Sequence, residues 1–125
     1  MGCLLFNSSA TLTWEEANTY CQKEEGGFLL QIWNELQLDY IRMQLSFLYD
    51  HVATAHWWTA GTDAGKEGEW RWTTSLAPVG DFMWETGQPN DGLTSNCLCL
   101  YHGFDYFMGG DYSCISNFAT ICERK

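Results

Sequence analysis

The sequence predicts an α+β domain, and three features carry that reading. Stretches opening at Thr13 and Asn34 have capped, helix-spaced apolar residues. From Trp57 onward the pattern changes to short alternating runs and turns, and cysteines lie towards both ends. At 125 residues the chain reads as one domain, spanning 1–125 and long enough to bury a core.

In chain order, Cys3 to Phe6 is a short apolar run that fits a starting strand. Thr13 precedes Trp14-Glu15-Glu16, a capping box in which the Thr13 and Glu16 side chains each satisfy an orphan backbone donor. Trp14, Ala17 and Cys21 follow at helical spacing, so the helix turns a cysteine inward, and Gly26-Gly27 ends it. Phe28 to Ile32 reads as a buried strand. Asn34, answered by Gln37, caps a second helix whose Leu38, Ile41, Leu45 and Leu48 form an apolar stripe. Tyr40 and Phe47 broaden that stripe, and both helices read as core scaffolding. Trp57 to Gly61 and the alternating Glu69-Trp70-Arg71-Trp72 read as strands, joined by a turn-rich loop carrying Asp63 and Glu67. Thr73 to Asn96 has little periodicity and many turn formers, and such a run inside a compact domain is usually functional. Leu98 to Tyr101 and Phe118 to Cys122 read as the last strands.

Composition narrows the partners. Seven Trp, six Tyr and seven Phe accompany six Lys plus Arg and sixteen Asp plus Glu, a formal net charge of −10. So few cations supply too few phosphate contacts for nucleic acid, and the surface repels anionic membranes. The apolar runs are too short and too interrupted for membrane insertion. No secretory leader precedes Cys3, as expected of a mature chain whose Met1 is an added start. Six cysteines suggest an oxidising, extracellular compartment, and the sequon Asn7-Ser8-Ser9 agrees with secretion. Zinc is disfavoured by spacing. Cys97-Leu98-Cys99 has one intervening residue and no answering close pair, and His51, His56 and His102 form no HExxH.

The candidate chemistry concentrates between Gly87 and Cys122. Gln88-Pro89-Asn90-Asp91 is followed by Cys97, then by Gly109-Gly110-Asp111-Tyr112, and by Cys114 and Cys122. Amide and carboxylate oxygens on loops suit a hard cation such as calcium. The plainer alternative is a Gly- and Asn-rich surface turn. Asp63 and Glu67 are a conceivable acid–base pair for a glycosidic bond, but no further catalytic constellation accompanies them, so no enzyme is expected.

Over essentially its whole length the chain resembles a C-type lectin-like domain. The residues that carry the resemblance are Trp14-Glu-Glu-Ala-Asn-Thr-Tyr-Cys21, Trp58-Thr-Ala-Gly61, Glu67-Gly-Glu-Trp70, Gln88-Pro-Asn90, Cys97, Gly109-Gly-Asp-Tyr-Ser-Cys114 and Ile121-Cys122-Glu123. The implied fold has two helices packed on short antiparallel sheets, with a long loop region pinned by disulfides. The implied disulfides are Cys21–Cys122 and Cys97–Cys114. The first closes a loop of about 100 residues, worth roughly 4.7 kcal/mol in the chain-entropy account. Cys3 and Cys99 are left over, to pair with each other, link two chains or stay free.

In sugar-binding members of this family one calcium sits in the long loop, and two sugar hydroxyls complete its shell. Glu-Pro-Asn goes with mannose-type sugars and Gln-Pro-Asp with galactose-type, around a cis proline, here Pro89. Gln88-Pro89-Asn90 is a hybrid with two amides. The implied primary calcium ligands are Gln88, Asn90 and Asp111. Ser95 stands where the family has Glu, and Gly110 where it has Asn. Only Asp111 then brings charge, so the site is weakened. An auxiliary calcium position is implied at Asp63, Glu67 and Asp91, with Asn96 beside them. Carbohydrate contacts are implied for Gln88, Asn90, Asp111 and Tyr112. Trp84, Tyr101, Phe104, Tyr106 and Phe107 are further rings that either stack on a sugar or fill core.

The resemblance therefore implies a secreted carbohydrate-binding lectin module, calcium-assisted, acting in recognition or innate defence. Its expected partners are glycans or glycoproteins. A homodimer is expected because multivalency offsets weak single-site binding. The alternative is a calcium-independent module for a protein or surface ligand, since fold does not fix function.

Overall fold

The computed structural model describes residues 3–23, 27–49, 56–89, 94–102 and 107–124. The elements are β1 (Cys3–Leu12), α1 (Trp14–Lys23), β2 (Phe28–Leu29), α2 (Glu35–Tyr49), β3 (His56–Thr62), β4 (Arg71–Trp72), β5 (Cys97–Tyr101), β6 (Met108–Tyr112) and β7 (Phe118–Arg124). Among the described residues seven strands share one sheet, ordered β1-β7-β3-β5-β6, with β2 on β7 and β4 on β3.

Both helices start as their caps dictate. The Glu16 N–H donates to Thr13 Oγ1 at 3.2 Å, and the Thr13 N–H donates to Glu16 Oε1 at 2.9 Å. At α2 the Gln37 N–H donates to Asn34 Oδ1 at 3.0 Å. Gln37 Oε1 accepts from the Trp33 N–H at 2.6 Å, one residue before the cap. α1 then buries Ala17 and Cys21, and α2 buries Leu38, Ile41 and Leu45. They join a core that includes Leu29, Leu30, Ile32, Trp57, Trp58, Trp72, Leu98 and Phe107. Two indoles pin the first helix and strand to the sheet. Trp14 Nε1 donates to Thr59 O, and Trp58 Nε1 to Leu12 O, both at 2.8 Å.

Several sequence expectations need correction. Tyr40 and Phe47 do not broaden the core stripe of α2; they are 45% and 85% exposed on another face. The Leu48 side chain, like Gly26, lies outside the described residues. The strands form one sheet rather than several, and it is not wholly antiparallel, because β3 and β7 pair in parallel at Trp57–Ala119 and Trp58–Thr120. Inserting β7 between β1 and β3 brings both ends of the chain onto the central sheet.

The Phe28–Ile32 run ladders only at Phe28 and Leu29, although it stays buried to Ile32. The Leu30 N–H instead donates to Ile121 O, and Leu30 O accepts from the Ala60 N–H. Gln31 is buried by satisfaction rather than by apolarity, since its amide donates to Ser75 Oγ and accepts from Thr74 Oγ1. The alternating run at Glu69 shortens to Arg71–Trp72. β6 was not expected, because Gly109-Gly110 is poor strand sequence. It pairs with β5 in unbroken register from Cys97–Tyr112 to Tyr101–Met108.

Disulfides Cys21–Cys122 and Cys97–Cys114 are present, at sequence separations of 101 and 17. Cys3 is exposed and free, and Cys99 is buried and free. β7 and β3 lie between their strands. Three strand spacings amount to about 14 Å, beyond the ~7 Å that a disulfide tolerates between Cα atoms, so the two cannot bridge within one chain.

Candidate functional site

Three segments converge at the β5–β6 end of the sheet: the 84–89 turn, the strand pair itself and the Asp63 loop. The turn reaches the sheet through a parallel bridge between Trp84 and Gly109, and the Glu85 N–H donates to Gly109 O at 2.8 Å. A Cβ at Gly109 would lie 2.6 Å from Met83 O, so this approach needs glycine. The Gln88 N–H then bonds back to Glu85 O at 2.9 Å, and the Gln88–Pro89 peptide is cis, as the resemblance implied.

Gln88 faces inward with both ends of its amide engaged. Oε1 accepts from the Asp111 N–H at 3.2 Å, and Nε2 lies 3.3 Å from the Tyr101 hydroxyl. A Cβ at Gly110 would lie 2.6 Å from Tyr101 Cε1 and 3.3 Å from Tyr112 Cε1. The position that carries Asn in the family therefore carries no side chain here, and two tyrosine rings occupy its surroundings.

Those rings belong to a larger group. Phe118 of β7, His56 of β3, Tyr101 of β5 and Tyr112 of β6 stand on four adjacent strands. His56 stacks on Phe118 at 4.6 Å and on Tyr101 at 5.7 Å between centroids. Tyr112 meets His56 edge-on at 5.0 Å, and Tyr101 and Phe118 at 5.5 Å. All four are half-buried, leaving part of each ring at the surface. Burial pushes the Tyr112 hydroxyl up to about 12, with Cys99, Tyr101 and Asp111 adding to it. Burial also raises Tyr101 from its ordinary value, with the Glu85 and Asp111 carboxylates adding and the Gln88 hydrogen bond opposing.

The Asp63 loop is built differently. Asp63 is buried, with its N–H on Asn96 O and its own carbonyl accepting from the Lys66 N–H. Oδ2 accepts from the Gly68 N–H at 2.9 Å, while Oδ1 is buried with no hydrogen-bond donor among the described residues. Partial desolvation and the Asp63 carboxylate raise Glu67 above its ordinary value, and Asp111 contributes through space. Two acidic side chains thus share one loop, which the Asn96 backbone carbonyl ties to the segment before β5. Among the described residues no three of His, Cys, Asp and Glu converge as a metal cluster. This donor set fits a hard cation in part: an orphaned buried carboxylate oxygen and a raised neighbouring carboxyl are what an ion would satisfy.

The structure thus links Asp111 to Gln88, Gln88 to Tyr101 and Tyr101 to Tyr112, and places Asp63 beside Glu67. Asn90, Asp91, Phe104 and Tyr106 lie outside the described residues. Ser95 is buried, Phe107 is core stacked on His102, and Trp84 packs edge-on against Trp70 at 4.9 Å. Sequence reasoning missed His56 and Glu85. Glu85 is a buried carboxylate that accepts from the Thr86 N–H at 3.0 Å and turns Gln88 towards the sheet. The signal for His56 was strand register: it pairs directly with Tyr101.

Comparison with known proteins places this geometry. The lectin C-type domain family matches residues 10–124. The chain is 29% identical over 130 residues to human C-type lectin domain family 17, member A, covering 98% of this chain but 29% of that protein's length. The C-type lectin domain of murine dendritic cell inhibitory receptor 2, solved in complex with N-glycan, superposes with a TM-score of 0.83 at 22% identity, covering 98% of this chain and 90% of the other. A Ca2+-dependent type II antifreeze protein in its Ca2+-free form superposes at 0.82 with 25% identity, covering 98% and 91%. No helix among the described residues is long and apolar enough to cross a membrane. Taken with the two disulfides and the cis-proline turn against β6, the match over residues 10–124 means that the chain belongs to the C-type lectin domain family.

Proposed function

We propose that this domain is a secreted glycan-binding module, not an enzyme, whose sugar site is the half-exposed aromatic surface of Tyr101, Tyr112 and His56 beside Gln88. The observation that carries this reading is the Gln88 amide, spent on Asp111 and Tyr101 instead of pointing at a cation site. With Gly110 and Ser95 in place of family ligands, direct coordination of sugar hydroxyls by a primary calcium has few donors left. Ring faces supply the alternative, because apolar sugar faces stack on aromatics while edge amides and carboxylates sort the hydroxyls.

Calcium, where bound, is assigned to Asp63 and Glu67, with Asn96 and Asp91 as further donors. It would neutralise like charges and hold the loop beside Asp111. Asn90 remains a proposed sugar contact with Gln88, Asp111 and Tyr112.

A screen of immobilised glycans in calcium tests this reading. Wild type retains a subset of glycans, and Tyr112→Ala and Gln88→Ala each weaken retention at least tenfold. A blank screen with folded protein sinks the proposal. It would favour the second reading, a protein- or surface-binding module, which the structural likeness to a type II antifreeze protein supports.

A further inference from the structure

The large apolar residues exposed among the described residues are not scattered. They are Trp33, Leu36, Tyr40, Met43, Phe47, Leu76 and Ile115, and the first five lie on α2 or just before its cap. On the helix itself Leu36, Tyr40, Met43 and Phe47 follow at steps of four and three, a heptad seam on a different face from the Leu38, Ile41 and Leu45 that α2 gives to the core. α2 is thus apolar on two sides, and one of them faces solvent. Single exposed apolar residues need no explanation, but a row of four along one helix face does.

We propose that this seam is the contact between two copies of the chain, packed α2 against α2 about an antiparallel two-fold axis. Self-association suits the charge. The chain carries −10 overall, whereas Glu35–Tyr49 holds only Glu35, Asp39 and Arg42, and the last two pair with each other at 3.6 Å. The seam is therefore a nearly neutral strip on an acidic molecule, where a second copy meets little repulsion.

It also suits the shapes. An axis between Ile41 and Arg42 sets Leu36 on Phe47 of the second copy, and Tyr40 on Met43, a sulfur–aromatic pairing. Gln37 and Gln44 flank one side of the seam and Asp39 and Ser46 the other, so no two carboxylates face across the axis. The area is sufficient. With aromatic side chains burying ~150–250 Å² each, the seam offers roughly 600 Å² per copy, so the pair clears the ~1,000 Å² expected of a specific interface. That lies at the low end, so dissociation on the order of 1–100 μM is expected.

Sedimentation velocity tests this in a Cys3→Ser background, which removes the exposed thiol as a cause of dimers. The expected result is a monomer–dimer equilibrium across roughly 1–200 μM. Met43→Glu and Phe47→Glu should abolish it, while Ile115→Glu, equally exposed elsewhere, should leave it intact. An equal mixture of Leu36→Cys and Phe47→Cys chains should cross-link on oxidation, and either chain alone should not. A monomer at every concentration overturns the proposal, even if the seam then binds lipid vesicles or another protein. So does a dimer that survives both α2 charges or that disappears with Cys3. Cross-linking by one cysteine variant alone overturns the antiparallel arrangement.

Discussion

The Tyr101 ring occupies space that a side chain on Gly110 would need: a Cβ there would lie 2.6 Å from Tyr101 Cε1. Restoring the family's residue by Gly110→Asn should therefore destabilise the domain by about 1–3 kcal/mol, the usual cost of overpacking. Tyr101→Val alongside it should recover part of that loss. Urea unfolding of the two single variants and the double variant measures the coupling, and strictly additive losses would mean that ring and backbone do not compete.

This pair also marks where sequence reading stopped. Helix starts were legible because a capping box is local chemistry: Thr13 with Glu16, and Asn34 with Gln37, bond as their spacing dictates. The disulfides came from the family resemblance. β6 was not legible, since Gly109-Gly110 has the composition of a turn and becomes strand only because neighbouring groups approach its bare backbone. The solvent face of α2 was misread for a related reason. Periodicity marks an apolar residue at helical spacing, but only the packed fold says which side of the helix meets the core.

The two free thiols should react very differently. Cys3 is exposed, while Cys99 is buried and its thiol is pushed well above its ordinary value by burial and then by Asp111. Since the thiolate is the reactive form, iodoacetamide near pH 8 should alkylate Cys3 and spare Cys99 until the domain unfolds. Peptide mass spectrometry before and after denaturation reads the outcome; equal labelling in the native state would contradict the burial of β5.

The aromatic group should weaken at alkaline pH. Tyr112 ionises at about 12 in the fold, above the ordinary 10.0. Between those values the unfolded chain has lost the proton that the folded one keeps, so stability is full below 10 and falls as pH rises towards 12. Tyr112→Phe should flatten that fall, as measured by denaturant midpoints at stepped pH. An unchanged slope would place the tyrosine in water.

Calcium should act through Asp63. A cation that binds only the folded state raises stability by mass action, roughly 2.7 kcal/mol at a hundredfold excess over its dissociation constant. Wild type should show a calcium-dependent rise in Tm that chelator reverses, and Asp63→Asn should lose it while still accepting the Gly68 N–H. Equal rises in both proteins would move the ion elsewhere.

The most direct test is calorimetric titration of a glycan retained by the wild-type domain, in calcium and again in chelator, against wild type and Tyr112→Ala. If protein groups rather than a cation hold the sugar, chelation should change affinity by less than tenfold, and Tyr112→Ala should weaken it by at least tenfold. Binding that vanishes in chelator and is indifferent to Tyr112 would contradict the account and return the sugar to a coordinated ion.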